Sequence, residues 1–267
     1  MGRRMVFVEH ARALRAAMVA CCLVWLTASA SAATPQSLHL PDRPTETAEP
    51  FGLAVSPVNG GGLVAKWRGV ARKIDDERVQ LALCDGDREG CASDAALQLL
   101  TIVDSGRRRE GRARLGEINR AINLAIHAMT DLAQFGEIDV WSSPLVTFYR
   151  GAGDCEDYAI AKFLALQMAG ISADDLRIIV MADTVTGEGH AVAAARLDGR
   201  WLILDNRRMT MVEDAKVRNY RPLFVIDQSS VRRYSETPLV ANTTERHAEP
   251  ATGLNLPSPI APVGPSN

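Results

Sequence analysis

The sequence predicts an α+β protein in which a run of helices precedes a small antiparallel sheet. Three observations carry this. Between residues 63 and 168 apolar side chains recur at near-helical spacing, interrupted by capping residues, Gly and Pro. From residue 176 the pattern changes to short apolar or alternating runs. Two of those runs are joined by Asp198-Gly199, a dipeptide suited to a tight hairpin turn.

Taken in order, the chain opens with Arg3, Arg4, Arg12 and Arg15 against Glu9, then an apolar stretch from Ala16 to Ala28, then the small residues Ala28 to Ala33. This is the pattern of a secretory signal peptide, residues 1–32, cleaved after Ala32. The apolar stretch of about 13 residues falls short of the roughly 20 that a membrane-spanning helix needs. Residues 33–61 and 235–267 are rich in Pro, Thr, Ser and Ala and read as a flexible N-terminal segment and a disordered tail, because little apolar area is there to offset the entropy of ordering. The folded domain is expected over 62–234.

Within it, Val64, Trp67, Val70, Ile74 and Leu81 mark a first helix over 63–83 that ends at the loop between Cys84 and Cys91. Ser93 is placed to cap a second helix running to about Val103. A third, long helix is expected from the stripe Leu115, Ile118, Ile122, Ala125, Ile126, Met129 and Leu132, stopped near Gly136. Trp141-Ser142-Ser143-Pro144 breaks helicity, and Gly151-Ala152-Gly153 leads into a helix from about Asp154 to Met168 with Gly170 as its stop. Strands are expected over 176–182, 190–196, 200–204 and 222–226.

Composition narrows the function. Of 267 residues 47% are hydrophobic and 23% charged, which excludes a collagen or a wholly disordered chain. The formal net charge of −2 offers no basic field to a nucleic acid. Removing residues 1–32 takes away four basic residues and one acid, leaving 26 against 31 and a mature net charge of −5. Beyond the signal no stretch is apolar enough to span a bilayer, so an exported, soluble protein is expected, periplasmic or secreted.

Of five cysteines, Cys21 and Cys22 fall in the signal. Cys84 and Cys91 are the natural pair for a local disulfide in an oxidising compartment. Cys155 is then left alone, and a lone thiol in an exported protein is either buried and inert or kept for chemistry. It sits at the first turn of a predicted helix, where unpaired N–H groups and the positive end of the dipole favour a thiolate and could hold an oxyanion. His190 opens one strand of the hairpin and Asp205 closes the other, so the turn brings them to the same end of the ribbon. Cysteine nucleophile, histidine base and aspartate orienter are the parts of a thiol acyl-transfer site. Asp154, Glu156 and Asp157 crowd three carboxylates beside the thiol and would raise its pKa unless a cation such as calcium offsets them.

The string Gly151-Ala152-Gly153-Asp154-Cys155-Glu156-Asp157-Tyr158-Ala159, followed by His190-Ala191-Val192 and Leu204-Asp205-Asn206, resembles the bacterial transglutaminase-like cysteine proteinases of the LapG type. The likeness extends upstream through Asn119, Asn123, Asp131 and Trp141-Ser142-Ser143-Pro144. It implies a papain-like, transglutaminase-like fold, with Cys155 as nucleophile, His190 as base and Asp205 as orienter. It also implies calcium bound by Asp154 and Glu156, with Asp157 a further ligand. A large surface adhesin as substrate and an inner-membrane cyclic di-GMP receptor as regulator are implied in the same way.

Other readings stay open at this stage. The same acyl-enzyme could be passed to an amine, as in a transglutaminase, or be formed from a cell-wall peptide; a catalytically idle binding module is a third possibility. Smaller features read blandly. Asp85-x-Asp87-x-Glu89-Gly90 begins like a calcium loop but has Ala96 where a bidentate Glu is required. The arginines at 107, 108, 109, 112 and 114 read as a solvated connection between helices.

Overall fold

The computed structural model of the protein describes residues 49–238. The expected signal peptide and the outer parts of both expected flexible segments lie outside the described residues.

Strand β1 (Leu53–Pro57) is followed by helices α1 (Gly62–Gly86), α2 (Asp94–Arg107) and α3 (Gly111–Ala125). Strand β2 (His127–Ala128) and the short helices α4 (Asp131–Phe135) and α5 (Pro144–Arg150) lead through β3 (Ala152–Gly153) into α6 (Cys155–Met168). Then come β4 (Leu176–Asp183), β5 (Gly189–Leu197), β6 (Arg200–Leu204), β7 (Val212–Glu213), β8 (Tyr220–Ile226) and β9 (Val231–Pro238). The larger sheet has the order β1-β9-β8-β4-β5-β6-β7, and every neighbouring pair is antiparallel. This is the α+β architecture expected from the sequence.

Helix α6 is the centre of the fold. Every residue from Glu156 to Leu166 is buried, because α2, α3 and α5 lie against it on one side and β4 and β5 on the other. A helix with apolar side chains on every side must be enclosed in this way. The sheet is likewise buried on both faces. Ile178, Ala193, Ala195, Leu202, Leu204 and Ile226 join the helical core, while Ile179, Met181, Val192, Ala194, Trp201, Ile203 and Val225 form a second cluster with Tyr234. Double burial explains why these strands read as apolar runs. The β5–β6 hairpin turns at Asp198 and Gly199, both with positive φ, and pairs Leu197 with Arg200. Among the described residues no helix is long and apolar enough to cross a membrane.

Local signals mark the helix ends. The Ser93 hydroxyl accepts the Ala96 N–H at 3.2 Å, capping α2. Cys84 and Cys91 form a disulfide that closes the loop between α1 and α2. Arg107 at the end of α2 and Arg112 and Arg114 in the first turn of α3 bond to carbonyl oxygens, and Arg107 also to Asp104, as suits a solvated connection.

Several elements differ from the sequence expectation. The long third helix is two helices: Ile126 is extended, the His127 N–H donates to Gly151 O and the Met129 N–H to Gly153 O, so β2 pairs in parallel with β3. Thr130 then caps α4, and Met129 and Leu132, expected on the buried stripe, are exposed. Helix α5 starts at the Pro144 that suggested a break, since proline suits the first helical position. Strand β1 lies in the segment expected to be flexible and pairs with β9, itself not foreseen. Glu49 is buried there between two guanidinium groups, 2.8 Å from Arg177 and 2.8 Å from Arg232. The ordered domain therefore begins before residue 62, held by partners more than a hundred residues away.

Candidate active site

The glycine turn before α6 brings a cysteine to the start of the buried helix. Gly151 ends α5 with a left-handed φ of 64°. At Gly153 a Cβ would stand 2.8 Å from the Asp157 Cβ and 3.2 Å from the Thr147 methyl, so only glycine fits the close approach. Asp154 occupies the cap position, and Cys155 is the first residue of α6.

Strands β5 and β6 bring the other two predicted residues to this place. His190 and Asp205 are both buried, and His190 Nε2 lies 2.9 Å from Asp205 Oδ1. The other ring nitrogen, Nδ1, is buried without a hydrogen-bond partner. The Tyr220 ring packs against the imidazole, centroids 5.5 Å apart. The Ala191 N–H donates to Cys155 Sγ at 3.3 Å, joining the histidine strand to the sulfur. Cys155, His190 and Ala191 line one cleft of about 610 Å³, together with Trp141 and the acids Asp131, Asp154 and Glu156. The Trp141 indole donates to Asp139 Oδ1 at 2.9 Å, so it lines the cleft while tied to its rim.

The charge on Asp205 is supported from several directions. Burial pushes its carboxyl up, but hydrogen bonds from His190 and the Arg207 N–H, with Lys162 nearby, hold it below the ordinary carboxylate value. Helix α3 fixes its backbone: Asn123 Nδ2 donates to Asp205 O and Arg208 O, both at 3.0 Å, and Asn119 Nδ2 donates to Arg208 O and Met209 O. These asparagines share the apolar face of α3, from which they satisfy carbonyls of the 205–209 segment.

The surroundings of the thiol favour its neutral form. Burial pushes its pKa up, and the Glu156 charge adds to this, with Glu156 Oε2 3.2 Å from the sulfur. The Glu156 and Asp154 carboxyls are both pushed up, by burial first; Asp154 then raises Glu156, while Asp154 itself is lowered by its hydrogen bond with Glu156 and raised by the charge of Asp131. Oxygen atoms of Asp131, Asp154 and Glu156 lie within 4.8 Å of one another. Asp131 Oδ1 and Asp154 Oδ1 are buried without a hydrogen-bond partner. Three hard anionic oxygens gathered in this way suit a divalent cation.

The sequence-predicted set is thus brought together except for one member. Asp157 is not part of that group of three acids, and its Oδ1 accepts the Ser142 N–H at 2.9 Å. Burial pushes its carboxyl up to about 7. Its place in the cluster is taken by Asp131 at the start of α4, whose other oxygen accepts the Val140 N–H. Nothing local in the sequence marks Asp131 as a ligand, because it lies more than twenty residues from Asp154. His127 is exposed and stands apart from the cleft.

The family model described as bacterial transglutaminase-like cysteine proteinase BTLCP matches residues 80–236. No curated protein sequence matches the chain significantly. Among solved structures, Legionella pneumophila LapG is 23% identical, with 58% of this chain and 86% of that chain covered and a TM-score of 0.49. Its calcium-bound form is 22% identical over 62% and 91% of the two chains, with a TM-score of 0.49. The EGTA-treated form is 22% identical over 61% and 87%, and its TM-score of 0.50 shows the shared fold. The family match spans more than half of the chain and reaches across the cysteine, the histidine and the aspartate. The chain belongs to the bacterial transglutaminase-like cysteine proteinases and is a cysteine peptidase of transglutaminase-like fold.

Proposed function

We propose that this peptidase is an exported, periplasmic endopeptidase in which Cys155 is the nucleophile, His190 the base and Asp205 the residue that orients the imidazole. The observation that carries the reading is the 2.9 Å bond from His190 Nε2 to Asp205, which leaves Nδ1 unpartnered in the cleft that Cys155 also lines.

In this reading Nδ1 takes the thiol proton of Cys155, and the sulfur attacks the carbonyl carbon of a peptide bond. Asp205 stabilises the imidazolium and keeps its orientation. The Cys155 N–H at the start of α6 faces the developing oxyanion, aided by the helix dipole. The imidazolium returns its proton to the departing amine and leaves a thioester. Water, giving a proton to His190, then attacks the thioester and releases the acid, and the sulfur regains its proton.

Asp131, Asp154 and Glu156 would hold calcium, and their gathered, partly unpartnered oxygens fit it. Bound there, the ion supplies positive charge that offsets the carboxylates raising the thiol's pKa. Asp157 serves the site by holding the Ser142 backbone. The substrate is a protein; by extension from the family it is a large surface adhesin involved in biofilm, and the regulator is an inner-membrane receptor for cyclic di-GMP.

The test compares surface proteins released from cells making the wild-type protein and Cys155→Ala. A high-mass surface protein should be released only with the wild type, and identical profiles would overturn the reading. Adding a primary amine separates hydrolysis from acyl transfer, since fragments indicate the first and higher-mass adducts the second.

A further inference from the structure

Lys162 is fully withdrawn from solvent, at 0% exposure, although a lysine is almost never fully buried unless it is paired. It lies two turns beyond Cys155 on α6. Its Nζ donates to the carbonyl oxygen of Leu204 at 3.2 Å, one residue before Asp205. The Tyr158 ring centroid is 5.8 Å away. For packing alone a Leu or Met would serve, without the cost of desolvating an amine. A buried lysine in a protein interior is retained where a charge or a carbonyl requires it, and here both come from the same short segment, Leu204-Asp205.

We propose that Lys162 is a positioning residue of the acyl-transfer site: from two turns along the catalytic helix it holds the Leu204–Asp205 backbone and keeps the Asp205 carboxylate charged, so that His190 stays oriented. The inference rests on the roles assigned above to Cys155, His190 and Asp205 and adds a residue that acts through the third of them. The charged and titratable groups around Lys162 are Asp205 beyond β6, His190 of β5 bound to that carboxylate, and Tyr158 on its own helix. From α3 the neutral Asn119 and Asn123 hold the same segment, at Arg208 O and Asp205 O. Burial pushes the lysine down to about 7, with Asp205 acting the other way. Below that value the amine carries its proton, which is the range in which a buried aspartate would otherwise be neutralised.

The test needs no substrate, so its outcome is independent of the protease assignment. Protein expressed from the whole chain and labelled with carbon-13 at aspartate carboxyls is titrated by NMR, with the Asp205 signal identified through Asp205→Asn. Lys162→Met removes charge and hydrogen bond, whereas Lys162→Gln removes the charge and keeps a donor for Leu204 O. Both should raise the Asp205 midpoint by about 1 pH unit. A folded neutral variant with the wild-type midpoint overturns the inference. Should neither variant fold, the Nζ nitrogen-15 signal of the wild type decides. A titration step near neutrality shared with the Asp205 carboxyl supports the coupling, and an ordinary lysine midpoint with no response at Asp205 refutes it. Retained peptidase activity in Cys155→Ala would instead sink the catalytic reading and leave the lysine–aspartate coupling standing.

Discussion

The backbone N–H of Ala191 donates to the sulfur of Cys155 at 3.3 Å, so the strand that carries His190 reaches the start of α6 through its very next residue. On its other side the same sulfur lies 3.2 Å from a Glu156 oxygen. It stands between a donor that favours thiolate and a carboxylate that favours thiol, and what neighbours the carboxylate decides which prevails.

Thiol reactivity should depend on the imidazole. At neutral pH, His190→Ala is expected to slow iodoacetamide labelling of Cys155 by about tenfold or more, and Asp205→Asn by a smaller factor. Mass spectrometry of the labelled peptide measures both. Equal rates in all three proteins would show that the ring does not serve the sulfur.

Calcium should act on stability as well as on the cleft. Binding to the folded chain alone at about 100 times the dissociation constant stabilises by about 2.7 kcal/mol. Added calcium should therefore raise the melting temperature, and a chelator should reverse the change. Asp131→Asn and Glu156→Gln should abolish this response, while Asp157→Asn, whose carboxyl faces Ser142, should retain most of it.

The two glycines of the turn should differ in their tolerance of a methyl group. Gly151→Ala meets open space and carries only the strain of a positive φ, about 1 kcal/mol. Gly153→Ala drives a Cβ into Asp157 and Thr147, an overpacking that should cost about 1–3 kcal/mol. Urea unfolding of the two variants measures the order, and a Gly151 variant less stable than the Gly153 variant would contradict it.

The pH dependence of stability carries the signature of Lys162. Its amine is held down to about 7 in the folded chain, against about 10.4 when unfolded. Between those values the unfolded chain binds a proton that the folded chain does not, so the unfolding free energy rises with pH through this window. Below it the folded chain bears the full cost of the buried charge. Lys162→Met should remove this rise, so its stability relative to the wild type should be greatest near pH 6 and fall towards pH 10. Denaturant titrations across that range test it, and a difference that does not vary with pH would refute it.

Much of the domain could be read from local pattern. Ser93 caps its helix, Asp198-Gly199 makes its hairpin, and the apolar runs of β4, β5 and β6 are strands, because each of these depends on neighbours a few residues away. The failures share one cause. Strand β1 exists because β9 and the Glu49–Arg177–Arg232 group hold it. The third helix breaks at Ile126 because the backbone of the Gly151–Gly153 turn accepts its next N–H groups. Asp131 joins the acids beside Cys155 only because that break redirects the chain into α4.

The order of helices and strands, the lone thiol at a helix start and the histidine and aspartate on one hairpin were determined by the sequence itself, since periodicity, capping and turn chemistry act over a few residues. Only the tertiary structure decided which carboxylates gather beside the sulfur, that Asp157 holds a backbone N–H instead, and that a buried lysine bonds the carbonyl next to the aspartate. Those outcomes depend on which distant segments share a buried space, where each unpaired polar atom must find a partner.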